Sequence, residues 1–191
     1  MQYTLAKRFF ALIILGLSLF PLNAEDKRTI PLDLYLIIDG SAALKSPKND
    51  VLTWINEQVV DRILSDGDKI TILSAGEEAQ TVYSETVSAA GKAAIKDSIR
   101  SLGTDGKTAD FNGALRDVNT RLSQTPSGRL SVTMLITGSA EILEPAMAGN
   151  AQGLLRWFRS EKYERWQVLV VAPNIGRKVQ NAASAYMSAI R

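Results

Sequence analysis

Cysteine and histidine are both absent from the 191 residues of this chain. Without cysteine there is no disulfide to staple the fold, no thiol nucleophile and no thiol to carry a lipid anchor. Without histidine, Ser-His-Asp and Cys-His nucleophilic chemistry are excluded, as are the usual zinc sites. An excess of charge of one sign is missing too: 22 Lys and Arg stand against 20 Asp and Glu. Long apolar runs are scarce. Phe9 to Phe20 is a 12-residue stretch without charge, short of the about 20 residues that span a bilayer. What is present is a chain long enough for one domain with a substantial core.

The N-terminus has the layout of a secretory signal peptide. Lys7 and Arg8 precede the apolar run, Pro21 breaks it, and Leu22-Asn23-Ala24 ends in a small residue. The expected cleavage follows Ala24, and the alternative is an uncleaved anchor, which would be the protein's sole membrane contact. Removing residues 1–24 takes away Lys7 and Arg8 and leaves 20 basic against 20 acidic residues. A neutral mature chain argues against a general nucleic-acid binder. Residues 25–31 read as a polar linker, and residues 32–191 as the folded domain.

Along that domain, strands are expected at 32–38, 69–73, 80–83, 130–136 and 166–172. The third follows the tight turn Ala75-Gly76-Glu77-Glu78 and reads as an antiparallel edge strand. Helices are expected at 48–64, 88–102, 110–122, 151–162 and 176–190, from apolar residues at helical spacing such as Val51, Leu52, Ile55 and Val59. Strands alternating with helices imply an α/β fold of three layers, Rossmann-like, with a mostly parallel sheet between helices.

The richest stretch is Leu32-Asp33-Leu34-Tyr35-Leu36-Ile37-Ile38-Asp39-Gly40-Ser41. An apolar, β-branched run of this kind suits a strand buried on both faces. Parallel sheets place ligand sites just beyond the carboxyl ends of their strands, so Asp39 and Ser41 stand where a hard cation is held. This run resembles the first strand of the von Willebrand factor type A family, and the resemblance covers residues 30–191. It implies that family's fold and its metal-ion-dependent adhesion site. In that site three loops supply an Asp and two Ser, a Thr, and a second Asp to a magnesium-like ion, and a partner's carboxylate completes the shell.

Carried over residue by residue, the resemblance holds only in part. Asp39 and Ser41 match the first loop, but Ala43 replaces its second serine. The second loop reads Lys107-Thr108-Ala109-Asp110-Phe111-Asn112-Gly113-Ala114-Leu115, with Ala109 at the threonine position and Thr108 one residue early. The third reads Leu135-Ile136-Thr137-Gly138-Ser139, with Gly138 where the Asp is expected. Ion affinity follows ligand number and charge, so a degenerate, metal-free face is expected. The alternative is a remodelled Mg or Mn site built from Asp39, Ser41, Thr108 and Asp110. Asp39 and Ser41 also have a purely structural reading, as local caps of the next turn.

Other signals weigh less. Gly106-Lys107-Thr108 invites a phosphate-loop reading, but the required earlier glycine is Ser101 and the segment follows a helix, so no nucleotide is expected. Arg156, Arg159, Lys162 and Arg165 interleave with Glu161 and Glu164, as on a solvated helix face. Leu154, Leu155, Trp157 and Phe158 suit core packing, and Glu77 and Glu78 suit a hairpin tip that guards an edge strand. Asp39 and Asp110 carry no mark of an acid–base pair for hydrolysis. The expected function is that of an exported, non-catalytic domain without a cofactor. It would bind another protein through loops 41–46, 105–112 and 137–143, with Ser41, Asp105, Asn112, Thr137 and Ser139 as contact candidates.

Overall fold

A computed structural model of the chain describes residues 28–124, 128–138 and 166–171. Its centre is β1 (Leu32–Asp39), buried at every one of its eight positions. The apolar run dictates this, because a strand with no polar face is stable only between two covered faces. β2 (Lys69–Ala75) and β4 (Leu130–Ile136) flank it, both parallel, and Ile37 stands opposite Leu73 on one side and Leu135 on the other. β5 (Trp166–Val171) extends the sheet in parallel beyond β4, and β3 (Ala79–Thr86) pairs antiparallel with β2. The order is β3-β2-β1-β4-β5.

Alternation along the strands divides the core into two. Leu34, Leu36, Ile38, Ile70, Ile72 and Ile136 face α1 (Lys48–Trp54), its continuation Ile55–Asp61 and α2 (Lys92–Arg100). Tyr35, Ile37, Leu73, Ala75 and Leu135 face α3 (Phe111–Gln124), which contributes Phe111, Ala114, Leu115 and Val118. Each such large side chain withdrawn from water contributes roughly 1.5–3 kcal/mol.

The structure shows the expected α/β sheet with its antiparallel edge, and it revises several boundaries. The helix expected at 48–64 is α-helical only to Trp54 and continues as a π-helix over Ile55–Asp61. The change keeps Ile55, Val59 and Val60 buried together. Two cations hold the carbonyl oxygens of the turn just past the rod: Lys92 Nζ donates to Leu64 at 2.7 Å and Arg28 to Ile63 at 2.8 Å. The helix expected at 88–102 is shorter, Lys92–Arg100. β3 is longer than 80–83 and bulged: Ile72 pairs with Tyr83 but Leu73 with Thr81, so Val82 is the inserted residue. The helices expected at 151–162 and 176–190 lie outside the described residues.

At the end of the sheet where β1 begins, two buried carboxylates are clamped. Asp68 accepts from the Leu32 N–H (2.8 Å), the Ser65 N–H (2.9 Å) and Arg28 (2.9 Å). Asp33 accepts from Arg129, which also donates to the Leu32 and Gly67 carbonyls. Arg28, read as linker, is thus packed onto the domain. No helix among the described residues is long and apolar enough to cross a membrane.

Candidate functional site

The carboxyl ends of β1, β2 and β4 bring three loops together at the opposite, apical pole. The chain leaves β1 at Asp39, and Gly40 N–H donates to the Ala75 carbonyl at 2.8 Å, holding the first loop against the end of β2. Ser41 forms a parallel bridge with Gly106: Ala42 N–H donates to the Gly106 carbonyl (2.8 Å) and Gly106 N–H to that of Gly40 (3.0 Å). Asp110 N–H donates to the Gly76 carbonyl at 2.8 Å, so the β2–β3 hairpin is part of the same face.

Asp39 lies at the centre, with no exposed surface. One carboxylate oxygen accepts from the Ser41 N–H at 2.8 Å. The other accepts from the Thr137 hydroxyl at 2.8 Å and the Gly138 N–H at 3.2 Å. Three fixed protein donors from two loops therefore hold the carboxylate in place. The Ser41 hydroxyl accepts from Ala43 N–H at 3.3 Å and caps the short 3-10 turn Ala42–Leu44. That turn presses on the third loop: a Cβ at Gly138 would collide with the Ala43 carbonyl oxygen. Gly138 is thus a close-approach glycine, and any side chain there requires the first loop to move.

Solved structures match this architecture at low identity. Proximal thread matrix protein 1 of the mussel byssus matches 77% of the chain at 15% identity, with a TM-score of 0.59. BatB, a conserved hypothetical protein of Bacteroides thetaiotaomicron, matches 83% at 13% identity and TM-score 0.52, over 98% of its own length. The vWF domain of the type V pili tip protein Mfa5 of Porphyromonas gingivalis matches 58% at 19% identity and TM-score 0.45. The chain spans 38% of the byssal chain and 38% of the pilus-tip chain. No protein-family model and no curated protein matches the sequence. The chain has the von Willebrand factor type A fold.

Within this von Willebrand type A fold the candidate residues fall into two groups. Asp39, Ser41 and Thr137 converge below the surface, at 0%, 2% and 0% exposure. Thr137 and Ser41, both candidate contacts, therefore support the face from beneath and do not form its surface. Asp105, Thr108 and Asn112 are exposed on the second loop and the first turn of α3. Asp110 is half-buried and accepts from the Gly113 N–H at 2.7 Å, the geometry of a helix N-cap. A Cβ at Gly113 would collide with that carboxylate. Ser139 lies outside the described residues. Among the described residues no three acidic side chains converge in a manner suited to a metal ion. Gly106 lies in the expected contact loop 105–112, but that its backbone ties the second loop to the first was not foreseen. Its only signal was its place in the loop Gly103-Thr104-Asp105-Gly106.

Proposed function

We propose that this is an exported, non-catalytic protein-interaction domain that binds a partner protein through its apical loops without a bridging metal. The observation that carries this reading is the engagement of the Asp39 carboxylate by Ser41, Thr137 and Gly138. A divalent ion needs several open oxygen ligands and net negative charge. Here Asp39 is engaged by loop donors, the Ser41 hydroxyl caps a turn and Asp110 caps α3. These residues do not fit a magnesium-like ion as they stand. Contact with a partner falls to the exposed Asp105, Lys107, Thr108 and Asn112.

Export is supported by Lys7, Arg8 and the apolar run Phe9–Phe20. An interaction role is supported by the fold shared with a byssal thread matrix protein. The absence of His and Cys from the whole chain supports a non-catalytic reading. The partner is a protein, not a nucleic acid or a nucleotide.

Two measurements test the proposal. Titration of the purified protein with Mg²⁺ and Mn²⁺ is expected to give no saturable heat. Saturable binding that disappears in Asp39→Ala would establish the remodelled site of Asp39, Ser41, Thr108 and Asp110 instead. In producing cells, a photo-crosslinking residue at position 112 is expected to trap a protein partner equally with and without chelator. The same residue at position 69, at the basal pole, is expected to trap none. Crosslinking from 69 alone would refute the apical assignment.

A further inference from the structure

The edge strand β3 offers a second surface, which starts at the β2–β3 hairpin on the apical face and runs away from it along the sheet. Among the described residues β3 pairs only with β2, so its outer side presents unpaired N–H and C=O groups, a template for another strand. Proteins commonly blunt such edges with lysine, proline or a bulge. Ala79–Thr86 contains no Lys, Arg or Pro. Its one backbone guard is the bulge at Val82, and Tyr83–Thr86 beyond it stays in regular register with Lys69–Ile72. Val82 is 42% exposed, a large apolar side chain on an otherwise polar edge.

The charge along this edge is of one sign. From Gly76 to Gly91 the chain carries Glu77, Glu78 and Glu85 and no basic residue, and all three glutamates are exposed. Two cations flank the strand from neighbouring elements: Lys69 of β2 stands opposite Thr86, and Arg121 donates to the Thr81 hydroxyl at 2.8 Å and is paired with Asp117. The field of Glu85 is felt locally: burial first, and the charge of Glu85 second, raise Tyr83 above the ordinary tyrosine range. The same link ties β3 to α3, because the Thr81 hydroxyl donates to Asp117 at 3.0 Å. The edge is therefore a braced platform.

We infer that β3 is a strand-addition site for an extended, basic segment of another protein, with Glu77, Glu78 and Glu85 selecting its lysines or arginines. Backbone pairing gives such an addition its affinity, and flanking charges give it specificity. The same glutamates disfavour the most abundant competitor, a second copy of this chain, whose β3 edge would bring like charges together. The acidic guard thus repels self-pairing and admits a cationic strand.

The test uses the purified full chain and a fluorescein-labelled eight-residue peptide of alternating Lys and Val. Saturable binding is expected, with slowed amide exchange in Tyr83–Thr86. The triple variant Glu77→Lys, Glu78→Lys, Glu85→Lys is expected to weaken it about tenfold, given modest energies per exposed charge, with an unchanged melting temperature. Three matched reversals on exposed helix positions, Asp50→Lys, Glu57→Lys and Asp97→Lys, are expected to leave it unchanged. A peptide N-methylated at alternate residues, and one of alternating Glu and Val, are expected not to bind. Absence of binding overturns the inference. So does binding that tolerates N-methylation, or that falls equally with both sets of reversals.

Discussion

Asp39 is a buried carboxylate whose hydrogen-bond donors come from two separate loops. A buried carboxylate is tolerable only if its charge is compensated, and here the Ser41 and Gly138 amides and the Thr137 hydroxyl compensate it. Asp39→Ala is expected to lower unfolding free energy by roughly 3 kcal/mol, because it strands buried donors. Urea denaturation should give the same loss with magnesium or with chelator. A loss seen only with magnesium would contradict the metal-free reading. Gly138 is the complementary case. Its Cα abuts the Ala43 carbonyl, so Gly138→Ala is expected to cost roughly 1–3 kcal/mol through overpacking. An unchanged thermal midpoint would show that the loop yields easily.

At the level of elements, the start of α3 joins stability to the site. Asp110 caps the helix through Gly113 N–H, and its own N–H is fixed by Gly76. Asp110→Ala is expected to cost about 1 kcal/mol, the usual value of an N-cap. Gly113→Ala separates two effects. Helix propensity alone favours alanine by about 1 kcal/mol, but the new methyl would displace the capping carboxylate. The variant is therefore expected to be no more stable than the parent by chemical denaturation. A gain of the full propensity difference would show that the cap is dispensable. The π-helical continuation of α1 obeys the same logic of packing over local preference, since it holds Ile55, Val59 and Val60 in the core.

Under the proposed function, the two poles of the described domain have different tasks. The basal pole is fastened by Arg28 on Asp68 and Arg129 on Asp33, with both carboxylates buried. The apical pole carries the three loops. Arg28 joins residues read as linker to the turn before β2, so Arg28→Met is expected to destabilise the domain by about 1–3 kcal/mol. Crosslinking from position 112 should be unchanged in that variant. If apical crosslinking is lost while the fold persists, the poles are coupled and the separation of tasks fails.

The strands were legible in the sequence because their signal is local. β1, β2, β4 and β5 are short apolar or β-branched runs bounded by polar turns, and the structure places each within two residues of expectation. The antiparallel edge was legible for the same reason, from the tight turn before Gln80. That positions 43 and 138 offer no side-chain oxygen could also be read directly, since they are alanine and glycine. Three things required the tertiary structure. Thr137 and Asp39 are 98 residues apart, and only the pairing of β1 with β4 brings that hydroxyl to that carboxylate. The collision that demands glycine at 138 arises from the Ala43 backbone on another loop. Whether a loop residue supports the face or forms its surface, as with Thr137 against Asn112, depends on burial by distant chain. Composition and periodicity specify which face of an element turns inward. They do not specify which donors meet there, because those contacts are set by strand register and by how closely the loops approach.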